Sequence, residues 1–275
     1  MNFGIGSPLP PYRVRAAPSE IEPPNLIYQD EQARHYGYRG GLVPTASIYA
    51  YMSHSLVELL GRDWLDRGSA EVRFEHPLFD GEELRVSGQV SSVEEDGSLG
   101  IDYRAENGSG VACGLGAAWL PAHETRPEPS MEQYPRGKLE ERQRVSLQSL
   151  DVGHILCPFQ AEFTWKQQWE YCQKNIRDHL PQYQSAIHPG WLLTLANWIL
   201  VANYDLPAWV PISSRVQHFH LQETECLVDV RGLVSEKYEY KGHHVMVLDL
   251  AVFADSRCLQ IIRNTVIFRV APKAA

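Results

Sequence analysis

The 275-residue sequence has no Cys-x-x-Cys pair, no surplus of cationic side chains and no uninterrupted apolar run of membrane length. Its five cysteines, Cys113, Cys157, Cys172, Cys226 and Cys258, are odd in number and widely spaced. That fits reduced core thiols in a cytoplasmic protein better than a disulfide frame or a zinc site; no metal is expected. The net charge of -9 comes from 34 acids against 25 Lys and Arg. Nucleic-acid phosphates need the opposite balance, so no nucleic-acid partner is expected, although a local basic pocket for one anionic tail stays compatible. The longest apolar stretch, 190–204, is broken by Asn197 and Asn203. It falls short of the ~20 residues of a membrane span and reads as a buried helix, with no membrane partner. Residues 1–11 lack a charged segment followed by an apolar core, so no secretion signal is expected. A Gly-x-Ser-x-Gly elbow, a Walker lysine loop and a dinucleotide fingerprint are also missing, and no cofactor is expected.

What is present is ordinary globular composition, 44% hydrophobic and 21% charged, in a chain long enough for two domains of about 100 to 150 residues. A Pro-rich lead (Pro8, Pro10, Pro11, Pro18, Pro23, Pro24) gives way to a short helical turn capped by Asp30, and Tyr38-Arg39-Gly40-Gly41 breaks the chain. From Pro44 to Leu60 apolar residues Ile48, Tyr51, Met52, Leu56, Leu59 and Leu60 recur at helical spacing, and Gly61 ends the run. The period then becomes alternating, through Val72 and Phe74, then Leu84, Val86 and Val90, then Ile101, Tyr103 and 111–120. Asp80-Gly81, Asp96-Gly97 and Asn107-Gly108 supply turns, which predicts four hairpin-linked strands able to wrap the helix. Residues 121–153, charged and Pro-rich, read as a surface linker.

After the linker the order repeats. A strand is predicted over 159–165, helix over 169–176, a second long helix from His188-Pro189-Gly190, and strands over 213–221, 226–240, 244–253 and 258–270. Val43-Pro44 and His188-Pro189 lie 145 positions apart, as do Trp64 and Trp209, Ser69 and Ser214, and Phe74 and Phe219. One offset across helix start, helix end and strand marks an internal duplication, with the paired Trp residues as plugs beneath each helix end.

Two stretches carry a family likeness. Asp30-x-x-Ala33-x-x-Tyr36-Gly37-Tyr38-Arg39-Gly40-Gly41-Leu42-Val43-Pro44, followed by Val72-Arg73-Phe74-x-x-Pro77-Leu78-x-Asp80-Gly81-Glu82-x-Leu84, resembles the MaoC-like dehydratases of the hotdog superfamily. Ile187-His188-Pro189-Gly190 repeats the outline in the second half. The resemblance implies an α+β double hotdog, two antiparallel sheets each wrapping a long central helix. The expected units are a first domain at 1–120, a linker at 121–154 and a second domain at 155–275. Hydratases of that family carry Asp-x-Asn-Pro-x-His ahead of Asp-x-x-Ala, and its Asp and His do the acid/base work. Registered on Asp30 and Ala33, the motif falls on Pro23, Asn25 and Tyr28, so the first half keeps neither proton-handling group. The same register in the second half falls on 167–175, where no dyad is visible.

The resemblance further implies that each long helix aims its N-terminal amides at a thioester carbonyl. Donors would come from Gly40-Gly41-Leu42 and from His188 to Gly190, with Asn25 and Tyr28 nearby. His188 has two readings: a proton shuttle with Asp178 or His179, or a cap or core residue at the helix start. His35 and Arg39 sit on the loop before the first helix, where Arg39 could grip a phosphate or pair with linker acids. His218 and His220 alternate as on one strand face, with no third metal ligand in view and a solvated face as the simpler reading. Glu58 is the acid within the first long helix that a hotdog thioesterase would need, though it lies near the far end. The expected function is hydration or dehydration of an enoyl or 3-hydroxyacyl thioester on coenzyme A or acyl-carrier protein. The alternatives are a degenerate acyl-thioester-binding subunit, or a hotdog thioesterase or isomerase. The expected state is a monomeric pseudo-dimer or a homodimer.

Overall fold

The computed structural model describes residues 3–123, 126–138 and 141–270. Met1, where the expected first domain begins, positions 124, 125, 139 and 140 of the expected linker, and 271–275 of the expected second domain lie outside the described residues. Among the described residues no helix is long and apolar enough to cross a membrane. All five cysteines are free.

The helices are α1 (Asp30–His35), α2 (Thr45–Leu60), α3 (Arg62–Arg67), α4 (Trp165–Glu170) and α5 (Pro189–Asn203). The strands are β1 (Tyr12–Arg15), β2 (Ser69–Phe74), β3 (Glu83–Val93), β4 (Leu99–Asn107), β5 (Ala112–Leu120), β6 (Phe159–Phe163), β7 (Val210–His218), β8 (Cys226–Tyr240), β9 (His243–Ala254) and β10 (Arg257–Arg269). Helices α2 and α5 are buried around most of their circumference, because sheet covers one side of each and the other helix covers part of what is left. The two helices come close at Gly190. A Cβ there would lie 2.4 Å from the Ala50 Cβ and 2.7 Å from the Tyr171 hydroxyl, so only glycine lets the helices pack.

All ten strands form one antiparallel sheet in the order β1-β3-β4-β5-β2-β7-β10-β9-β8-β6. The two expected sheets are therefore joined edge to edge, five strands from each half, through β2 and β7. Their register carries the duplication: Ser69 pairs with Gln217 and Val72 with Ser214. Moving both members of one pair to the other half by the 145-residue offset gives the other pair, as a pseudo-twofold axis between β2 and β7 requires. Trp64 and Trp209, related by that offset, are both fully buried.

Three sequence expectations change. β2 does not form a hairpin with β3 but pairs with β5, and β3 instead takes β1 on its outer edge. β1 was hidden in the Pro-rich lead, since four residues, Tyr-Arg-Val-Arg, show too little alternation to read. The predicted helix over 169–176 is the end of α4 continued by a π-helical turn at Tyr171–Asn175. His218 ends β7, so His220 lies beyond the strand, and His218 is not solvated but buried edge-on against Trp64 at 4.7 Å. Burial pushes its imidazole down to about 3. Among the described residues no group of three His, Cys, Asp or Glu could hold a metal.

The segment between the halves packs across the outer face of the second half. Met131 and Tyr134 rest on Phe253 and Cys258, and the Arg231 guanidinium donates to both of their carbonyls while holding Asp229.

Candidate functional site

The site is built where the chain reverses between α4 and α5. After the π-helical turn, Arg177 takes a left-handed conformation with φ 54, and Asp178 follows with its amide bonded to the Cys172 carbonyl at 2.9 Å. A π turn and a non-glycine residue at positive φ are features that concentrate where a side chain must be aimed. Buried Gln168 ties the reversal together: its amide donates to the Tyr183 and Ala186 carbonyls and its oxygen accepts from the His188 amide at 3.2 Å. His188 then caps α5 by accepting from the Gly190 amide on Nδ1 at 3.0 Å. With Nδ1 an acceptor, the proton of neutral His188 belongs on Nε2, which lies 3.4 Å from Asp178 Oδ2.

Asp178 is held from the other half as well. His54, in the middle of α2, places Nδ1 2.9 Å from Asp178 Oδ1, a close contact lying outside hydrogen-bond geometry. The His54 ring stacks on Tyr12 of β1 at 3.7 Å, and its Nε2 lies 3.6 Å from Glu58 one turn along. Oδ1 also accepts from the Leu180 amide at 3.1 Å, so Oδ2 is the oxygen with acceptor capacity to spare. Burial works against the Asp178 charge, but the neighbouring His188 and His54 outweigh it and hold the carboxyl well below the usual carboxylate range. Burial pushes His188 below its ordinary value, partly offset by Asp178. The pair is therefore a carboxylate beside a neutral imidazole. Tyr171 and Tyr183 pack their rings against His188 at 5.3 and 4.2 Å, and a cleft of about 570 Å³ reaches Asp178 past Trp169, Cys172 and Tyr183.

His188 and Asp178, singled out in the sequence, are thus brought together. His179 is not: it is exposed at the outer part of the cleft, with Nδ1 2.9 Å from the Gln173 amide nitrogen. In the first half, Asn25 is buried and donates to the Trp209 carbonyl at 2.7 Å, clamping the two halves. The Tyr28 hydroxyl is buried without a partner and its ring meets Trp209 edge-on. Exposed His35 has Nδ1 2.9 Å from the carbonyl of Glu31 in its own helix. The Arg39 guanidinium is engaged by Glu82 and lies over the Phe79 ring, so among the described residues its acidic partner is Glu82 and not a linker acid.

The helix-start amides differ from expectation. Gly41 N donates to Asp30 at 2.7 Å, Leu42 N to the Ile27 carbonyl, Gly190 N to His188, and Trp191 N to the His188 carbonyl. Gly40 lies 3.1 Å, measured from a would-be Cβ, from the same Asp30 oxygen, and Gly41 has no room for a Cβ beside the Tyr28 carbonyl. Folding satisfies these donors internally, because an orphan amide at a buried helix end is costly.

Sequence reading missed His54, whose partner Asp178 is remote in the chain, and Glu22, a buried carboxyl one position before Pro23. Downstream of 167–175, Asp178-x-Leu180-Pro181-x-Tyr183 has the spacing of Asp-x-Asn-Pro-x-His, with Leu180 in place of Asn and Tyr183 in place of His.

No family model matches the sequence, and no curated protein matches it. Solved structures do match along nearly the whole chain. A protein from Chloroflexus aurantiacus described as a MaoC-domain dehydratase is 10% identical, covers 98% of this chain and 97% of its own, and superposes with a TM-score of 0.70. A hypothetical Mycobacterium tuberculosis protein described as a double hotdog is 13% identical over 96% of each chain, with a TM-score of 0.61. A protein from Lactobacillus plantarum described as an oleoyl thioesterase is 8% identical over 98% and 97%, with a TM-score of 0.50. The chain has the double hotdog fold, of the kind seen in MaoC-like dehydratases.

Proposed function

We propose that this chain adds water to, or removes it from, an acyl thioester carried by coenzyme A or acyl-carrier protein, with Asp178 as the proton-handling group. The observation that carries the reading is the buried carboxylate of Asp178 held between His188 at a helix start and His54 of the other half. A hydro-lyase needs a base at the water and a proton for the carbon next to the carbonyl. Asp178 Oδ2 takes the proton of a water as its oxygen bonds to the β carbon. Asp178 then gives that proton to the α carbon while His188 Nε2 holds the carboxylate in place, so the balance is one water added and the protein restored. His54 acts through Asp178 and is a positioning residue. The long 3.4 Å contact between Asp178 and His188 is compatible with the reading, since catalytic hydrogen bonds tighten when substrate arrives.

One observation favours binding without turnover: the Gly190 amide, which would polarise a thioester carbonyl, is closed by His188 itself. Mass spectrometry after incubation with enoyl- and 3-hydroxyacyl-CoA panels separates the readings. The hydro-lyase reading expects a mass change of one water with the native chain, lost in Asp178→Asn and His188→Ala. Retained binding with no mass change on any panel member would overturn it.

A further inference from the structure

A second cleft, of about 330 Å³, lies on the opposite side of the π-helical turn, between the strap 20–24 and α5. Phe159, Trp191, Leu195 and Trp198 give it apolar walls, with Phe159 stacked on Trp198 at 5.6 Å. The strap is fixed by the Trp198 indole donating to the Ile21 carbonyl at 2.7 Å and by the Glu20 amide donating to Asn175 at 2.9 Å. Behind Thr194, itself a lining residue, sits the carboxyl of Glu22. Oε1 lies 3.0 Å from the Thr194 hydroxyl and Oε2 accepts from the Asn197 amide at 2.9 Å. Both partners are neutral, and burial raises the Glu22 carboxyl to about 7. The hydroxyl of Tyr171, which also lines the cleft, is buried with no hydrogen-bond partner.

The Tyr171 hydroxyl is a donor without an acceptor, and the Thr194 hydroxyl is shared with Glu22. When Glu22 is ionised, the Thr194 proton is committed to its carboxylate. When Glu22 carries a proton, it can donate to Thr194, whose own proton is then free for the Gly190 carbonyl at 3.1 Å or for a ligand. Tyr171 offers a second donor. The rim carries Glu20, Glu162 and Glu170 against Lys174, which is already paired with Glu170 at 3.5 Å. Such a mouth disfavours carboxylate or phosphate.

We propose that the strap-side cleft binds a neutral acyl thioester, its carbonyl accepting from Thr194 and Tyr171, and that the protonation state of Glu22 gates this binding. The choice of an acyl thioester rests on the function proposed above. The groups facing Glu22 are Thr194 and Asn197 from α5, Tyr171 from the π turn and Tyr28 from the turn after the strap. Burial raises both tyrosines well above their ordinary values, so neither supplies charge at neutral pH.

The test is calorimetric titration of the full chain with octanoyl-N-acetylcysteamine, a thioester without phosphates. Binding is expected to weaken at least ~10-fold between about pH 6 and about pH 8.5, as a single titrating group allows. Glu22→Gln, whose amide can donate to Thr194 as the protonated acid does, is expected to bind tightly at both. The rim carboxylates remain in that variant, so a pH effect that persists in it overturns the gate. Ala161→Trp, on the strand wall of the cleft, should abolish binding while circular dichroism is unchanged. Equal native affinity at both pH values, tighter binding of octanoate than of the thioester, or unaltered binding by Ala161→Trp would each overturn the proposal. Loss of binding with hydration intact counts against this cleft alone, whereas gated binding without hydration counts against the hydro-lyase reading alone.

Discussion

Asp178 and Glu22 are two buried carboxyls that burial alone would treat alike. Their partners separate them: two histidines hold Asp178 ionised, whereas a hydroxyl and an amide leave Glu22 raised to about 7. Asp178→Asn keeps the shape and removes the base, so it should lower the hydration rate by ~10²- to 10⁴-fold with a smaller change in KM, read by steady-state kinetics. His54→Ala should lower the rate less and move the acid limb of the pH profile upward, because Asp178 loses a group that keeps its proton off. The two carboxyls also have opposite linkage to stability. A depressed Asp178 contributes stability above the ordinary carboxylate range and loses it as pH falls through its own lower value. The raised Glu22 contributes fully below 4.5, and that contribution is lost as pH rises through about 7. Glu22→Gln should therefore gain stability relative to the native chain on going from pH 5 to 8, by up to about 3 kcal/mol, in urea melts at each pH. A flat difference would show that Glu22 is not the titrating group.

At the scale of elements, α2 packs on α5, and Gly190 leaves no room for a side chain in that contact. Gly190→Ala should destabilise by about 1 to 3 kcal/mol through overpacking against Ala50 and Tyr171, seen as a lower Tm. An unchanged Tm would mean the helices separate freely. Both long helices were legible because apolar residues recur at helical spacing and Pro44, Gly61 and Pro189 punctuate them. The β3–β4 hairpin turn was legible too, since Gly97 takes the positive φ that such a turn requires. Alternation finds strands but not their neighbours, so the pairing of β2 with β5 and β7 stayed hidden. The His188–Asp178 pair was within reach because ten residues and a Pro-containing turn separate its members. His54 was not, because its role depends on α2 and the reversal before α5 meeting in space.

On the scale of the whole molecule, the continuous sheet and the shared helix contact make each half part of the other's core. Calorimetric unfolding is expected as one cooperative transition, and two resolved transitions would show that the β2–β7 junction and the α2–α5 contact do not couple the halves. The 145-residue offset announced the duplication, and the β2–β7 register shows what it is for: a pseudo-twofold that brings His54 of one half onto Asp178 of the other. The halves then diverged around that axis. One end holds a carboxylate between imidazoles, and the strap side holds a carboxyl among neutral groups. The measurement that tests the account most directly is incubation of the native chain with an enoyl thioester in deuterium oxide, followed by mass spectrometry. The account predicts a 3-hydroxyacyl thioester carrying one deuterium on the α carbon, absent with Asp178→Asn. Free acid in its place, or deuterated product formed equally well by Asp178→Asn, would contradict it.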